Sequence, residues 1–188
     1  ALTRHTCECC RTALAWTPQG PVAFWRNLYD DNIRDFALAY LDSALDNTLD
    51  NAVVRRATDD QWRIEACPHH GVDIAADASG GLLLGWFYKR IDGARESVPL
   101  AFGDAAAQAG HPAVAVAGNT VLLTWREFDG RVYAAQTMRS DDGGVSWGLP
   151  QRLAESAGTA DYPQPLSDGR LIRVVWNSSK EGFRVLSL

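Results

Sequence analysis

The residues with the most chemistry to offer in this 188-residue chain are four cysteines and four histidines, and they cluster. Three cysteines fall within four residues, Cys7-Glu8-Cys9-Cys10, and the fourth opens Cys67-Pro68-His69-His70. Written over one another, the two segments align at a constant offset of 60 residues: Cys7 with Cys67, Cys9 with His69, Cys10 with His70. His111, in Gly110-His111-Pro112, stands one position past the Cys10/His70 slot of a third such segment, and His5 lies two residues before Cys7. Thiolate and imidazole ligands suit Cu(I) or Zn(II), whereas carboxylate-rich sets suit Mg or Ca. The candidate metal ligands are therefore His5, Cys7, Cys9, Cys10, Cys67, His69, His70 and His111, with copper as the expected ion and zinc as the alternative.

The same cysteines admit three states: two disulfides, thiols reduced around a metal, or a mixture. Adjacent Cys9 and Cys10 can bond each other only with strain. A disulfide framework gives no reason for histidines at cysteine-equivalent positions, which favours the metal reading. No C-x-x-C-H occurs, so covalent c-type haem is excluded.

Such ligands must be brought together by repeats. Four segments share an apolar alternation, a turn, and a β-rich run ending in Trp: Thr12–Trp16 to Trp25, Val72–Ala75 to Trp86, Pro112–Ala115 to Trp125, and Tyr162–Leu166 to Trp176. Turn formers separate the two runs each time: Pro18-Gln19-Gly20, Ser79-Gly80-Gly81, Gly118-Asn119 and Asp168-Gly169. Each pair reads as a β-hairpin. A third run follows each hairpin, at Ile33–Leu41, Ser97–Phe102, Val132–Met138 and Phe183–Leu188. The Trp-to-Trp spacings of 61, 39 and 51 residues compare with the roughly 40–50 residues of a propeller blade. No sustained helical stripe occurs. The fold class is therefore all-β: a β-propeller with four recognisable blades, at about 11–60, 71–105, 111–150 and 162–188. A sandwich of four hairpins is the competing architecture. In a propeller, the first strand of each blade lines the central channel, so loops entering neighbouring first strands crowd together near the axis. All eight Cys and His residues fall in such loops. The recurring Trp25, Trp86, Trp125 and Trp176 are core positions. Arg26, Arg34, Asp35 and Arg126 read as inter-blade ties or as a polar channel.

Composition narrows the function. Hydrophobic residues make up 46% of the chain, charged residues 22%, and the net charge is −5, with only Lys89 and Lys180 as lysines. That is a globular chain without the basic patch that nucleic-acid binding needs. No apolar run approaches the length of a membrane helix. The chain begins at Ala1 rather than Met, as a mature or trimmed product does.

Ser140-Asp141-Asp142-Gly143-Gly144-Val145-Ser146-Trp147 matches S-x-D-x-G-x-[S/T]-W. With Cys7–Ala15, Trp25-Arg26-Asn27, Ile33-Arg34-Asp35 and Cys67-Pro68-His69, it makes the chain resemble bacterial Asp-box (BNR-repeat) sialidase-like β-propellers, in a branch with CxCC and CPH motifs. The resemblance implies that Ser140, Asp142, Gly144 and Trp147 form a structural Asp box. It also implies an array that is part of, or derived from, a six-bladed propeller, completed by a protein partner or second chain. Sialidases of that family carry the first arginine of their triad in a Phe/Tyr-Arg-Ile-Pro motif, which this chain lacks. The expectation is thus a non-enzymatic, periplasmic or extracellular metal-binding propeller acting in metal handling, delivery or assembly. A glycan-binding or glycan-cleaving module and a disulfide-stapled interaction propeller are the alternatives.

Overall fold

The computed structural model describes residues 2–41, 52–66, 69–86 and 100–188. Among them the chain is all-β, with a single 3-10 turn at Asp30–Asn32. Thirteen strands form four small antiparallel sheets. The first sheet orders β1 (Ala13–Thr17), β2 (Gly20–Arg26), β3 (Phe36–Tyr40) and β4 (Arg55–Arg56). The second pairs β5 (Val72–Ala76) with β6 (Leu82–Trp86). The third orders β7 (Gly110–Ala117), β8 (Thr120–Phe128), β9 (Tyr133–Ser140) and β10 (Gln151–Ser156). The fourth orders β11 (Gln164–Ser167), β12 (Ile172–Ser178) and β13 (Gly182–Leu186).

The four expected hairpins are present as β1–β2, β5–β6, β7–β8 and β11–β12. Their turns use the expected breakers, and Gly118 sits at φ +58° in the two-residue turn between β7 and β8. Third strands differ from expectation in two places. The run Ile33–Leu41 becomes strand only from Phe36, because Ile33 bridges to Tyr29 and Arg63 and the Arg34 amide bonds to Trp62 O. Of Ser97–Phe102, residues 97–99 lie outside the described residues, and Leu100–Phe102 carry no strand. The third sheet gains an outer strand, β10, that extends it to Ser156.

Alternation along each strand sends side chains to both faces, and both faces are used. Ile74, Leu82 and Leu84 of the second sheet pack on Val22, Phe24 and Phe36 of the first. Their neighbours Ala75 and Leu83 point the other way, onto Val114, Leu123 and Trp125 of the third. Ala115 and Leu122 then meet Ile172 and Val174 of the fourth. The sheets therefore pack face to face in chain order, with β1, β5, β7 and β11 neighbours in that sequence. The four recurring Trp side chains lie in the C-terminal half of the second strand of each sheet. Each indole N–H is satisfied: Trp25 by Asn27 Oδ1, Trp86 by Asp60 Oδ2, Trp125 by Glu127 Oε1 and Trp176 by Asp161 O. A buried indole needs such a partner, so the repeat conserves a polar contact along with the apolar ring.

The turn after β9 is built as its octapeptide demands. Asp142 Oδ1 accepts the Ser146 amide at 2.8 Å, and Ser140 Oγ accepts the Gly144 amide at 2.9 Å. Gly143 and Gly144 lie at φ +74° and +94°, where a side chain would be strained. The four amide and hydroxyl donors that converge on Asp142 hold its carboxyl down to about 2, led by the Ser146 hydroxyl and amide.

Candidate metal centre

The cysteine segment is held against the end of β2. The Cys7 amide donates to Arg26 O at 3.0 Å, and the Cys10 amide closes a turn onto Cys7 O at 3.1 Å. That turn folds three sulfurs inward. Cys7 Sγ lies 3.2 Å from Cys10 Sγ and 3.6 Å from Cys9 Sγ, and Cys9 and Cys10 are 3.9 Å apart. Cys7 and Cys10 are buried free thiols, while Cys9 is disulfide-bonded. Cys67 lies outside the described residues.

Two guanidiniums from elements next in sequence frame the sulfurs. Arg34 Nη1 donates to Cys7 Sγ at 3.3 Å, and its Nε is tied to Ile64 O at 2.9 Å. Arg26, 1% exposed, lies under the Phe36 and Trp62 rings and beside the Cys10 thiol. It donates to Arg34 O at 2.8 Å and His70 O at 3.4 Å. Burial lowers its basicity, and the neighbouring thiols work against that shift. Burial also pushes the Cys10 thiol up to about 11, helped by its contact with Cys7, so Cys10 keeps its proton at neutral pH until a metal displaces it.

The sulfur triangle has the size of a metal's ligand set. A tetrahedral ion with bonds of about 2.3 Å to sulfur holds its sulfurs about 3.8 Å apart, and the separations seen run from 3.2 to 3.9 Å. Among the described residues, Cys7, Cys9 and Cys10 are the group whose ligand atoms lie within 4.8 Å of one another. His5, His69, His70 and His111 do not join it, and in this the arrangement differs from the single eight-residue set the sequence suggested. His5 and His69 are exposed. His70 and His111 gather elsewhere, their ring centroids 5.4 Å apart, with the Tyr162 ring stacked on His111 at 4.9 Å. Both backbones that lead into this cluster are strained, with His69 at φ +54° and His111 at φ +56°.

Sequence reasoning missed the residue that organises this end of the molecule, Arg11. Its Nη2 donates to Val72 O at 3.3 Å and to Pro112 O at 3.2 Å, and its guanidinium lies 4.6 Å from the Tyr162 ring centroid. One side chain leading into the first sheet thereby touches segments belonging to the other three. It passes over Gly71, where a Cβ would stand 2.5 Å from Arg11 Cβ. Arg26 and Arg126 likewise donate to backbone carbonyls, His70 O and Ala160 O. A guanidinium with its fork of donors can bridge two strands this way.

Burial first, then the nearby arginines, lowers both His70 and His111 from 6.5 to about 4. Arg26 and Arg126 act on His70, and Arg126 and Arg11 on His111. The unfolded chain takes up these protons near pH 6.5 and the folded chain only near pH 4. Stability is therefore full above about pH 6.5 and is lost as pH falls toward 4. Thermal unfolding followed across that window should show this decline, and a His70→Gln/His111→Gln double variant should flatten it. An unchanged slope in the double variant would place the acid sensitivity elsewhere.

No protein-family model matches the chain, and no curated protein matches it.

Proposed function

We propose that the chain is an extracytoplasmic, non-enzymatic metal-binding protein that holds copper as Cu(I) through Cys7, Cys9 and Cys10 and acts in metal handling, delivery or assembly. The observation that carries this reading is the triangle of three sulfurs under two guanidiniums. Thiolates are soft ligands, and a trio of them suits a three-coordinate soft ion, whereas structural zinc takes four ligands. Electrostatics agrees. Three thiolates beside Arg26 and Arg34 leave a single negative charge among these five groups, which a monovalent cation cancels. A disulfide at Cys9 supports an oxidising compartment, the periplasm or cell exterior, and also means that loading requires Cys9 to be reduced first.

The test is metal analysis of untagged protein before and after reduction. Reduced protein should bind one Cu(I) per chain, and unreduced protein should bind far less. Equal, negligible copper in both would sink the reading. Cys67→Ser separates the ions further. If Cys67 supplies a fourth sulfur, as zinc would require, that variant should lose metal as completely as Cys9→Ser. Unchanged metal confines the site to residues 7–10.

The architecture behind this site is read here as a four-bladed portion or derivative of a six-bladed Asp-box propeller. Face-to-face packing in chain order, with first strands side by side, supports it, as does the hydrogen-bonded turn at Ser140–Trp147. The two ends of the row leave apolar side chains in water: Trp16 at 73% exposure with Leu14 on the first sheet, Phe183 at 69% with Val185 on the last. Such faces favour a second chain or protein partner that completes the ring. Solution mass measurement should therefore find an assembly larger than 20.5 kDa. A stable monomer of that mass would argue for self-closure.

A further inference from the structure

We propose that Cys7 and Cys10 form an internal dithiol that exchanges with the disulfide at Cys9, so that the oxidised protein interconverts between two disulfide isomers. This inference goes beyond metal binding and does not depend on it. Cys7-Glu8-Cys9-Cys10 contains a C-x-x-C pair, and the Cys10-to-Cys7 turn fixes its geometry. Residues that close such a turn have Cα atoms less than about 7 Å apart, and a disulfide asks for roughly 4.4–6.8 Å. Their sulfurs are already 3.2 Å apart.

The roles follow from placement. Cys7 Sγ stands 3.6 Å from Cys9 Sγ, nearer than Cys10 Sγ at 3.9 Å. Cys10 is the nearer neighbour of Cys9 in sequence, but a bond between adjacent cysteines is strained. Cys7 is therefore the attacking group and Cys10 the resolving one. In the first step Cys7 thiolate forms a bond to Cys9 Sγ, and the sulfur previously bonded to Cys9 leaves as thiolate. In the second, Cys10, giving its proton to that leaving thiolate through solvent, attacks Cys7 Sγ and Cys9 departs as thiolate. One disulfide is broken, one formed, and no external oxidant or reductant enters. Both Cys7 and Cys10 are buried, so a disulfide within the chain is their accessible substrate, ahead of one on another protein.

The consequence is control of the metal site. One isomer presents Cys7 and Cys10 as free thiols, and the other ties them together and releases Cys9. Neither offers all three sulfurs, so the oxidised protein rearranges without becoming competent for the three-sulfur ion, and only net reduction opens the site.

The experiment uses the full chain at pH 8 in chelator, quenched with acid and N-ethylmaleimide, then cleaved with trypsin. Cleavage after Arg4 and Arg11 leaves all three cysteines on one peptide, His5–Arg11. Two forms should appear in wild type. In one, Cys7 and Cys10 carry the alkyl group and Cys9 is cross-linked to another peptide. In the other, Cys7 and Cys10 are joined and Cys9 carries the alkyl group. Cys7→Ser should leave Cys10 alkylated and the Cys9 disulfide unexchanged. Two results would overturn the proposal: Cys9 as the sole oxidised cysteine of this peptide in wild type after overnight incubation, or Cys10 entering a disulfide in Cys7→Ser. Because no metal is present, neither outcome bears on copper stoichiometry, and failure of the metal reading leaves this result intact.

Discussion

Replacing Cys7 with Ser should lower Cu(I) affinity of the reduced protein by more than about 100-fold, read by competition with a chromophoric Cu(I) chelator. Cys7 is the shared vertex of the sulfur triangle, with the two shortest separations, 3.2 Å to Cys10 and 3.6 Å to Cys9. Its loss removes one of three soft ligands and leaves Arg34 without the sulfur it donates to. Changes to residues that merely orient a ligand cost about 10–100-fold in metal affinity, so loss of the ligand itself should exceed that range. Arg34→Gln is the paired measurement. It keeps all three sulfurs and removes the charge beside Cys7, and it should fall within about 10–100-fold. Equal losses in the two variants would mean that the arginine is itself required to build the site. A Cys7→Ser variant with undiminished affinity would remove the triangle from consideration as the metal centre.

The pieces of this arrangement that are local in the sequence were legible there. The hairpins were, because period-2 apolar runs flanked by Gly, Asn and Asp turns leave little else to form. The Cys7–Cys10 segment was, because four residues in one turn need no tertiary information to bring their sulfurs together. What depends on distant contacts was not. Strand β4 is two exposed arginines whose pairing with Ala37 and Leu38 carries no apolar signal. Strand β10 is largely polar at an outer edge, where alternation fades.

The histidines depend on distant contacts as well. Alignment placed His70 opposite Cys10, and both meet the buried guanidinium of Arg26, Cys10 through its thiol and His70 through its backbone carbonyl. One usable signal went unread. The same 60-residue offset sets Arg11 opposite Gly71, and these residues are in contact. A long side chain facing a glycine at equivalent positions of neighbouring repeats marks a place where one backbone gives way to the other's side chain.

Asp35→Ala should be among the most destabilising single substitutions in the described residues, at about 1–3 kcal/mol, the cost of leaving buried hydrogen-bond donors without their acceptor. Asp35 is 0% exposed. Its carboxylate accepts from Arg56 through both Nε and Nη2, and from the Gln61 and Trp62 amides at 3.2 and 3.4 Å. Gln61 sits at φ +53°, so the carboxylate also holds a strained backbone in place. For a chain of this size each kcal/mol moves Tm by roughly 2–4 °C, which puts the expected drop at about 2–12 °C. Asp35→Asn keeps an oxygen acceptor of the same shape but no charge, and its loss should be clearly smaller. The damage should also reach the sulfurs. Trp62, whose amide Asp35 holds, stacks on Arg26 and accepts the Arg34 amide, and those two arginines frame Cys7 and Cys10. Alkylation of Cys7 and Cys10 should therefore be faster in Asp35→Ala than in wild type at a temperature where both remain folded. A large drop in Tm with unchanged alkylation rates would mean that the Asp35 network stabilises the first sheet without supporting the cysteine centre.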